Sequence, residues 1–290
     1  MSLRVQGALA LVFATSLCLL GYGAGDSAGE ERPRAKRSWT IVAAGDIGDN
    51  DPSPYFQDDT AQLTARLNPD RVLALGDIAY ESGSLADFMT NYHPWWGRFN
   101  PITHPVPGNH EAYVSDRGYD AYFGRGKHNY SFNLGSWHLI GLDTNYGDAT
   151  ALRFLRRDLR RNRRRCLLMF LHHPLHSSGD KYAGGIRAVK PLYRAFYAER
   201  GDLVLTAHEH NYERFARQTP GGRAARRGYR QIVSGAGGQK LRGFSTVDPN
   251  SQKRISQHGV TRVVLKRRSY RASFIGVAGA RDRVRRTACH

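Results

Sequence analysis

Four short apolar runs in this chain each stop at residues able to hold a cation, and that coincidence limits the fold more than any other feature of the sequence. Residues 39–44 run into Gly45-Asp46, residues 71–75 into Gly76-Asp77, residues 166–171 into His172-His173, and residues 202–206 into Ala207-His208. Apolar runs of this length, alternating with amphipathic stretches, predict an α/β fold. In open α/β sheets ligands gather at the carboxyl ends of strands, so the four ends are expected to converge on one site.

The intervening stretches support that reading. Residues 60–67 follow Asp58-Asp59, an acidic start that suits a helix N-terminus. Residues 148–161 place Leu152, Leu155 and Leu159 on one face, and residues 186–199 predict a further helix. Segments 130–142, 230–234 and 260–277 are rich in β-branched and aromatic residues, with turn signals at Leu134-Gly135 and Arg268-Ser269. They read as antiparallel strands completing two sheets. One continuous catalytic domain over residues 38–290 is expected.

Ahead of it, Arg4 precedes an uncharged apolar run at 8–20 and small residues at 21–25, which reads as a signal peptide over residues 1–25. The run falls short of the roughly 20 apolar residues of a membrane span, so no stable span is expected. Residues 26–37, polar and charged with Pro33, read as a linker. The chain is therefore expected to be secreted, and Cys166 and Cys289, the two cysteines beyond the signal, to form a disulfide in an oxidising setting. Residues 38–290 carry 38 basic and 22 acidic side chains, a net charge of +16. Such a surface attracts phosphorylated anions of any size without specifying the chemistry that follows. Eight arginines between positions 153 and 165 form either a solvated helix face or a stripe for docking polyanions.

The chemistry lies in five motifs: GDIG at 45–48, GDIAY at 76–80, GNHE at 108–111, LHHP at 171–174 and AHEH at 207–210. Each alone is weak, because a Gly-Asp turn commonly caps a strand and a lone histidine is usually structural. Together they supply carboxylate, amide, phenol and imidazole donors in the number two adjacent cations require. No cysteine is among them, which argues against a thiolate zinc site.

In order and spacing the motifs resemble the binuclear, calcineurin-like metallophosphoesterase superfamily. Tyr80, three residues after Asp77, resembles its purple acid phosphatase branch. The resemblance covers nearly all of residues 38–290 and is to compact bacterial members without the N-terminal β-sandwich of the plant enzymes. It implies a four-layer α-β-β-α sandwich, two mixed sheets flanked by helices. Carried over residue by residue, it implies one metal ion held by Asp46, Asp77, Tyr80 and His210. A second would be held by Asp77, Asn109, His172 and His208, with Asp77 bridging. The first is implied to be Fe(3+), coloured by its tyrosinate, and the second Fe(2+), Zn(2+) or Mn(2+).

The implied activity is hydrolysis of small phosphate monoesters by attack of a metal-bound hydroxide. Two cations about 3.5–4 Å apart act on one phosphate and lower the pKa of a bound water from about 15.7 towards 7. Alongside Asp77 and Asn109, His110 is the expected catalytic residue, hydrogen-bonding the phosphate or protonating the leaving alcohol. Glu111 is expected to orient ligands. His173 and His176 are candidates for the substrate pocket, although alternation along a strand turns His173 away if His172 is a ligand. Residues 177–185 read as a polar, Gly-rich rim that lacks the histidine pair of plant relatives. Ala207 stands where the family has glycine.

Histidines 93, 104, 128, 138, 258 and 290 have no partner motif and are expected to be structural; Trp95, Trp96 and Phe99 read as core or pocket wall, and residues 235–238 as a turn. Two other functions share these residues. A phosphodiesterase or nuclease of the same superfamily fits the basic surface but does not need Tyr80, and a non-catalytic polyanion binder would keep the scaffold alone. No specific nucleic-acid partner is predicted.

Overall fold

The computed structural model describes residues 38–50, 56–146 and 148–290; the expected signal peptide and linker lie outside them. Among the described residues, thirteen strands form two sheets. The strands are β1 (Ser38–Ala44), β2 (Arg71–Leu75), β3 (Thr103–Val106), β4 (Tyr130–Leu134), β5 (Trp137–Leu142), β6 (Cys166–Leu171) and β7 (Leu203–Thr206). They continue as β8 (Tyr212–Gln218), β9 (Tyr229–Ser234), β10 (Ser251–Ile255), β11 (Gly259–Lys266), β12 (Ser269–Gly276) and β13 (Arg281–Ala288). The first sheet runs β13-β12-β11-β1-β2-β3 and the second β10-β8-β9-β7-β6-β5-β4.

Register explains why the motifs meet. β1, β2 and β3 are parallel, with Ala44 opposite Ala74 and Leu75 opposite Val106. Their carboxyl ends are therefore level, and the chain leaves them within three residues of Asp46, Asp77 and Asn109. In the second sheet β6 and β7 are parallel with Phe170 opposite Leu205, which sets His172 beside Ala207 and His208. All residues of β5, β6 and β7 are buried, as expected of parallel strands covered on both faces.

Three apolar layers hold the sandwich together. Ile41, Leu73 and Leu75 of the first sheet pack against Leu168, Phe170 and Leu205 of the second between the sheets. On the outer face of the first sheet, Val42 and Val72 bury against Ala61, Leu63, Trp96 and Phe99. On the outer face of the second, Met169 and Val204 bury against Leu155, Leu159, Leu192 and Phe196, from helices Asp148–Arg161 and Lys190–Ala198. The four-layer arrangement is thus present, and Trp96 and Phe99 lie in the core.

Cys166 and Cys289 are bonded, with Cα atoms 5.4 Å apart. Cys166 opens β6 and Cys289 follows β13, so the bridge joins the two sheets at the end away from the motifs. Among the described residues no helix is long and apolar enough to cross a membrane.

Candidate active site

Asp46, Asp77 and His208 adopt left-handed backbone, with φ of 54°, 47° and 70°. Only a few per cent of non-glycine residues do so, with Asp and His enriched among them, and clusters of such strain mark functional sites. Each turn throws its side chain back over the strand ends. Glycine makes room at two close approaches. A Cβ on Gly108 would lie 2.2 Å from Asp77 Oδ1, and one on Gly235 would lie 2.4 Å from Asp46 Oδ2. Ala207 is accommodated in the same way, since its methyl occupies the space that a Cβ on Gly45 would fill.

All seven candidate ligands converge. Tyr80 Oη donates to Asp46 Oδ1 at 3.0 Å and lies 3.2 Å from Asp77 Oδ2 and 3.3 Å from His210 Nε2. On the other side of Asp77, His172 Nε2 lies 3.2 Å from Asp77 Oδ2 and 3.2 Å from Asn109 Oδ1. His208 Nδ1 lies 3.1 Å from His172 Nε2. The set divides into two groups sharing Asp77 Oδ2, one with Asp46, Tyr80 and His210 and the other with Asn109, His172 and His208.

This donor chemistry fits two cations. His172 Nδ1 donates to the Leu75 carbonyl and His210 Nδ1 to the Lys240 carbonyl, which aims each Nε2 lone pair inward. Asp46 Oδ2 accepts from the His208 backbone N–H at 2.9 Å. Burial, with the Asp77 charge beside it, pushes the Asp46 carboxyl up to about 8 against the pull of His172. Burial also acts to raise Asp77, but His172 and His110 outweigh it and hold that carboxyl well below the usual range. Burial and Arg242 push His210 down to about 3. A buried cluster of two carboxylates, a phenol and lone-pair nitrogens is what cations would neutralise.

Glu111 orients the loops. Its buried carboxylate accepts from the backbone N–H groups of Asp77, Ile78, Ala79 and Gly108 at 2.7–3.2 Å, locking the second motif to the third. His110 donates its backbone N–H to Asp77 Oδ1, and its Nδ1 pairs with the Glu81 carbonyl. Its Nε2 lies 3.9 Å from Asp77 Oδ2. Beneath the loop, Asn145 Nδ2 donates to the Gly108 carbonyl, while Asp143 caps Asn145 and pairs with His128 Nδ1 at 2.8 Å. His128, expected to be structural, is held between Asp143 and Asp120 and is raised to about 9 mainly by the Asp143 hydrogen bond.

The outer histidines differ from expectation in two respects. His173 does not face away: its ring lies 4.6 Å from that of His208, and its Nδ1 bonds Thr144 Oγ1. β6 ends at Leu171, so the alternation of a strand no longer applies there. His176 sits against Phe215, with Nδ1 3.4 Å from Asp248, and does not line the mouth of the site.

That mouth is a cavity of about 460 Å³, lined by His110, Tyr80 and His210 on one side and Lys181, Lys240 and Arg242 on the other. Sequence reasoning missed two of its supports. Tyr182 stacks on His208 at 3.9 Å, donating its backbone N–H to Glu209, and Arg242 lies 5.6 Å above the Tyr182 ring and donates to the His208 carbonyl. The 177–185 rim is thus set over the site. Nothing around Arg242 signalled that position.

The family model for calcineurin-like phosphoesterases matches residues 40–212. Acid phosphatase type 7 of Homo sapiens is 29% identical over 273 aligned residues, covering 77% of this chain and 60% of that protein. Purple acid phosphatase 21 of Arabidopsis thaliana is 25% identical over 285, covering 86% and 62%. This chain therefore spans less than two thirds of the length of either relative. Among solved structures, the purple acid phosphatase of yellow lupin (Lupinus luteus) seeds aligns with a TM-score of 0.68 at 16% identity over 83% of this chain and 52% of that one. The inner-membrane-complex anchor of Plasmodium aligns at 0.65 and 13% identity over 88% and 89%, and at such identities both likenesses concern the fold alone. With the match to residues 40–212 covering more than half its length, the chain belongs to the calcineurin-like phosphoesterase family.

Proposed function

We propose that this protein is an exported phosphatase that hydrolyses small phosphate monoesters with two metal ions, Fe(3+) and one of Fe(2+), Zn(2+) or Mn(2+). The observation that carries the reading is the position of Asp77 Oδ2, 3.2 Å from both Tyr80 Oη and His172 Nε2, where one carboxylate serves two donor groups. When bound, the cations would neutralise the phosphoryl oxygens and acidify a water. Asp46, Tyr80 and His210 would hold one, and Asn109, His172 and His208 the other.

The remaining steps belong to side chains. Lys181, Lys240 and Arg242 draw the anionic ester into the mouth. His110 Nε2, oriented by the Glu81 carbonyl at Nδ1, faces the shared carboxylate and is placed to hydrogen-bond the phosphate or hand a proton to the leaving oxygen. Tyr80, preferred by the purple branch, favours monoesters over the diester alternative, and the Cys166–Cys289 bridge suits an oxidising compartment.

Purified protein with its metals quantified is assayed on p-nitrophenyl phosphate and bis-p-nitrophenyl phosphate. Phosphate release with two metals per chain and a faster monoester rate is expected. A metal-loaded protein that leaves the monoester intact refutes the reading, and a faster diester rate transfers it to the phosphodiesterases.

A further inference from the structure

The outer face of the first sheet is only half covered. Helix Phe56–Leu67 and the segment after it pack over Val42, Val72 and Ala74, reaching Val260 and Ile275 at one end of β11 and β12. The rest of β11, β12 and β13 forms a trough of about 700 Å³. Six cations line it, Arg262 and Lys266 on β11, Arg271 on β12, and Arg283, Arg285 and Arg286 on β13, with no acidic residue among the lining.

Register gives the trough its form. Arg262 stands opposite Ser273, which stands opposite Arg283, so basic side chains flank a hydroxyl on the floor. Arg271 is the neighbouring floor position on β12, opposite Val264, which lies between Arg262 and Lys266 along β11. The rows on β11 and β13 are two strand spacings apart, about 9.6 Å, and alternate residues along a strand repeat every ~6.7 Å. That width takes one extended chain.

The charges are not neutralised from within. Among the described residues, the side chains of Arg262, Lys266, Arg271, Arg283 and Arg285 make no hydrogen bond or ion pair, and Arg262 Nε is buried with no partner. The neighbouring carboxylate, Asp282, is already engaged with Arg214 at 2.6 Å and with Tyr212. Six gathered cations repel one another, and a buried N–H left without an acceptor is destabilising. An anionic ligand relieves both. Guanidinium groups match phosphate oxygens in bidentate geometry, and five of the six are arginines. No aromatic side chain lines the trough, so nothing there stacks on bases.

We infer that this trough binds single-stranded polymers of phosphate anions, gripping the repeating phosphates whatever is attached to them. The inference does not depend on the catalytic reading, since the trough contains none of the donor residues.

Binding of a fluorescent oligodeoxythymidylate is followed by anisotropy over a range of salt concentrations, with inorganic polyphosphate as competitor. The triple variant Arg262→Ser/Arg271→Ser/Arg283→Ser is compared with Arg153→Ser/Arg156→Ser/Arg160→Ser on helix Asp148–Arg161. Losing three phosphate contacts is expected to flatten the log–log salt slope by about 2 and weaken binding at least about tenfold, while the helix variant stays near wild type. The exposed pair Arg283→Ser/Arg285→Ser should show about two thirds of the slope change, and circular dichroism reports whether each variant is folded. Stronger competition by polyphosphate than by unlabelled oligonucleotide identifies the inorganic polymer as the preferred source of phosphate, and the reverse identifies nucleic acid. Undiminished binding by the trough variants, equal loss in the helix variant, no binding by wild type, or a preference for polyglutamate or anionic lipid vesicles overturns the inference.

Discussion

Asp77 is the only side chain common to both donor groups, so its loss should not resemble the loss of any other. Asp77→Ala is expected to strip both metals and lower turnover by on the order of 10³-fold or more, read by metal analysis beside p-nitrophenyl phosphate kinetics. Tyr80→Phe removes a phenol that burial and the carboxylates of Asp46 and Asp77 hold protonated well above its usual pKa; only a strongly acidic cation could take its proton. With the proposed ferric ion bound, its expected signature is the disappearance of a violet absorption band with the fold intact by circular dichroism. Tyr182 touches no candidate metal position but stacks on His208. Tyr182→Ala is expected to weaken metal binding or activity by about 10–100-fold, as loss of a supporting contact does elsewhere, and a metal titration checks it.

At the scale of elements, the loop carrying Asn109 and His110 rests on the pairing of His128 with Asp120 and Asp143. Because the folded His128 pKa, about 9, lies above the ordinary value of 6.5, this pairing stabilises fully below pH 6.5. The contribution fades as pH rises through 9. After allowance for solvent screening it amounts to on the order of 1 kcal/mol, or about 2–4 °C in Tm. His128→Gln should flatten the decline of Tm between pH 6.5 and 9. Most strands that place the candidate ligands were legible: β1, β2, β6 and β7 are short apolar runs, and Tyr130–Leu134, Trp137–Leu142, Gly259–Lys266 and Ser269–Gly276 are β-branched and aromatic around clear turns. β3, β8, β10 and β13 went unread: β3, which leads to Asn109, is four residues with a proline at a sheet edge, and segments such as RDRVRRTA and SQKRI lie at or near sheet edges and show charge to solvent. The seven candidate ligands that the structure brings together were legible as motifs. Tyr182 and Arg242 were not, because a stack between residues 60 positions apart leaves no periodic trace.

At the largest scale, the described residues form two sheets face to face, and Cys289→Ser opens a loop spanning 123 residues at a cost of about 2–5 kcal/mol, measurable by thermal melting. β6 begins at the disulfide and ends one residue before His172, a distance of roughly 20 Å, so the two covers of this book are clasped at opposite ends of one spine. Bound cations would be the upper clasp, drawing Asp46 and Asp77 from one cover to His172 and His208 on the other. Either clasp alone is expected to keep the book shut. Chelation and reduction together should therefore lower stability by at least about 1 kcal/mol more than their separate effects sum to, a dependence of redox state on metal supply that strict additivity in paired melts would exclude.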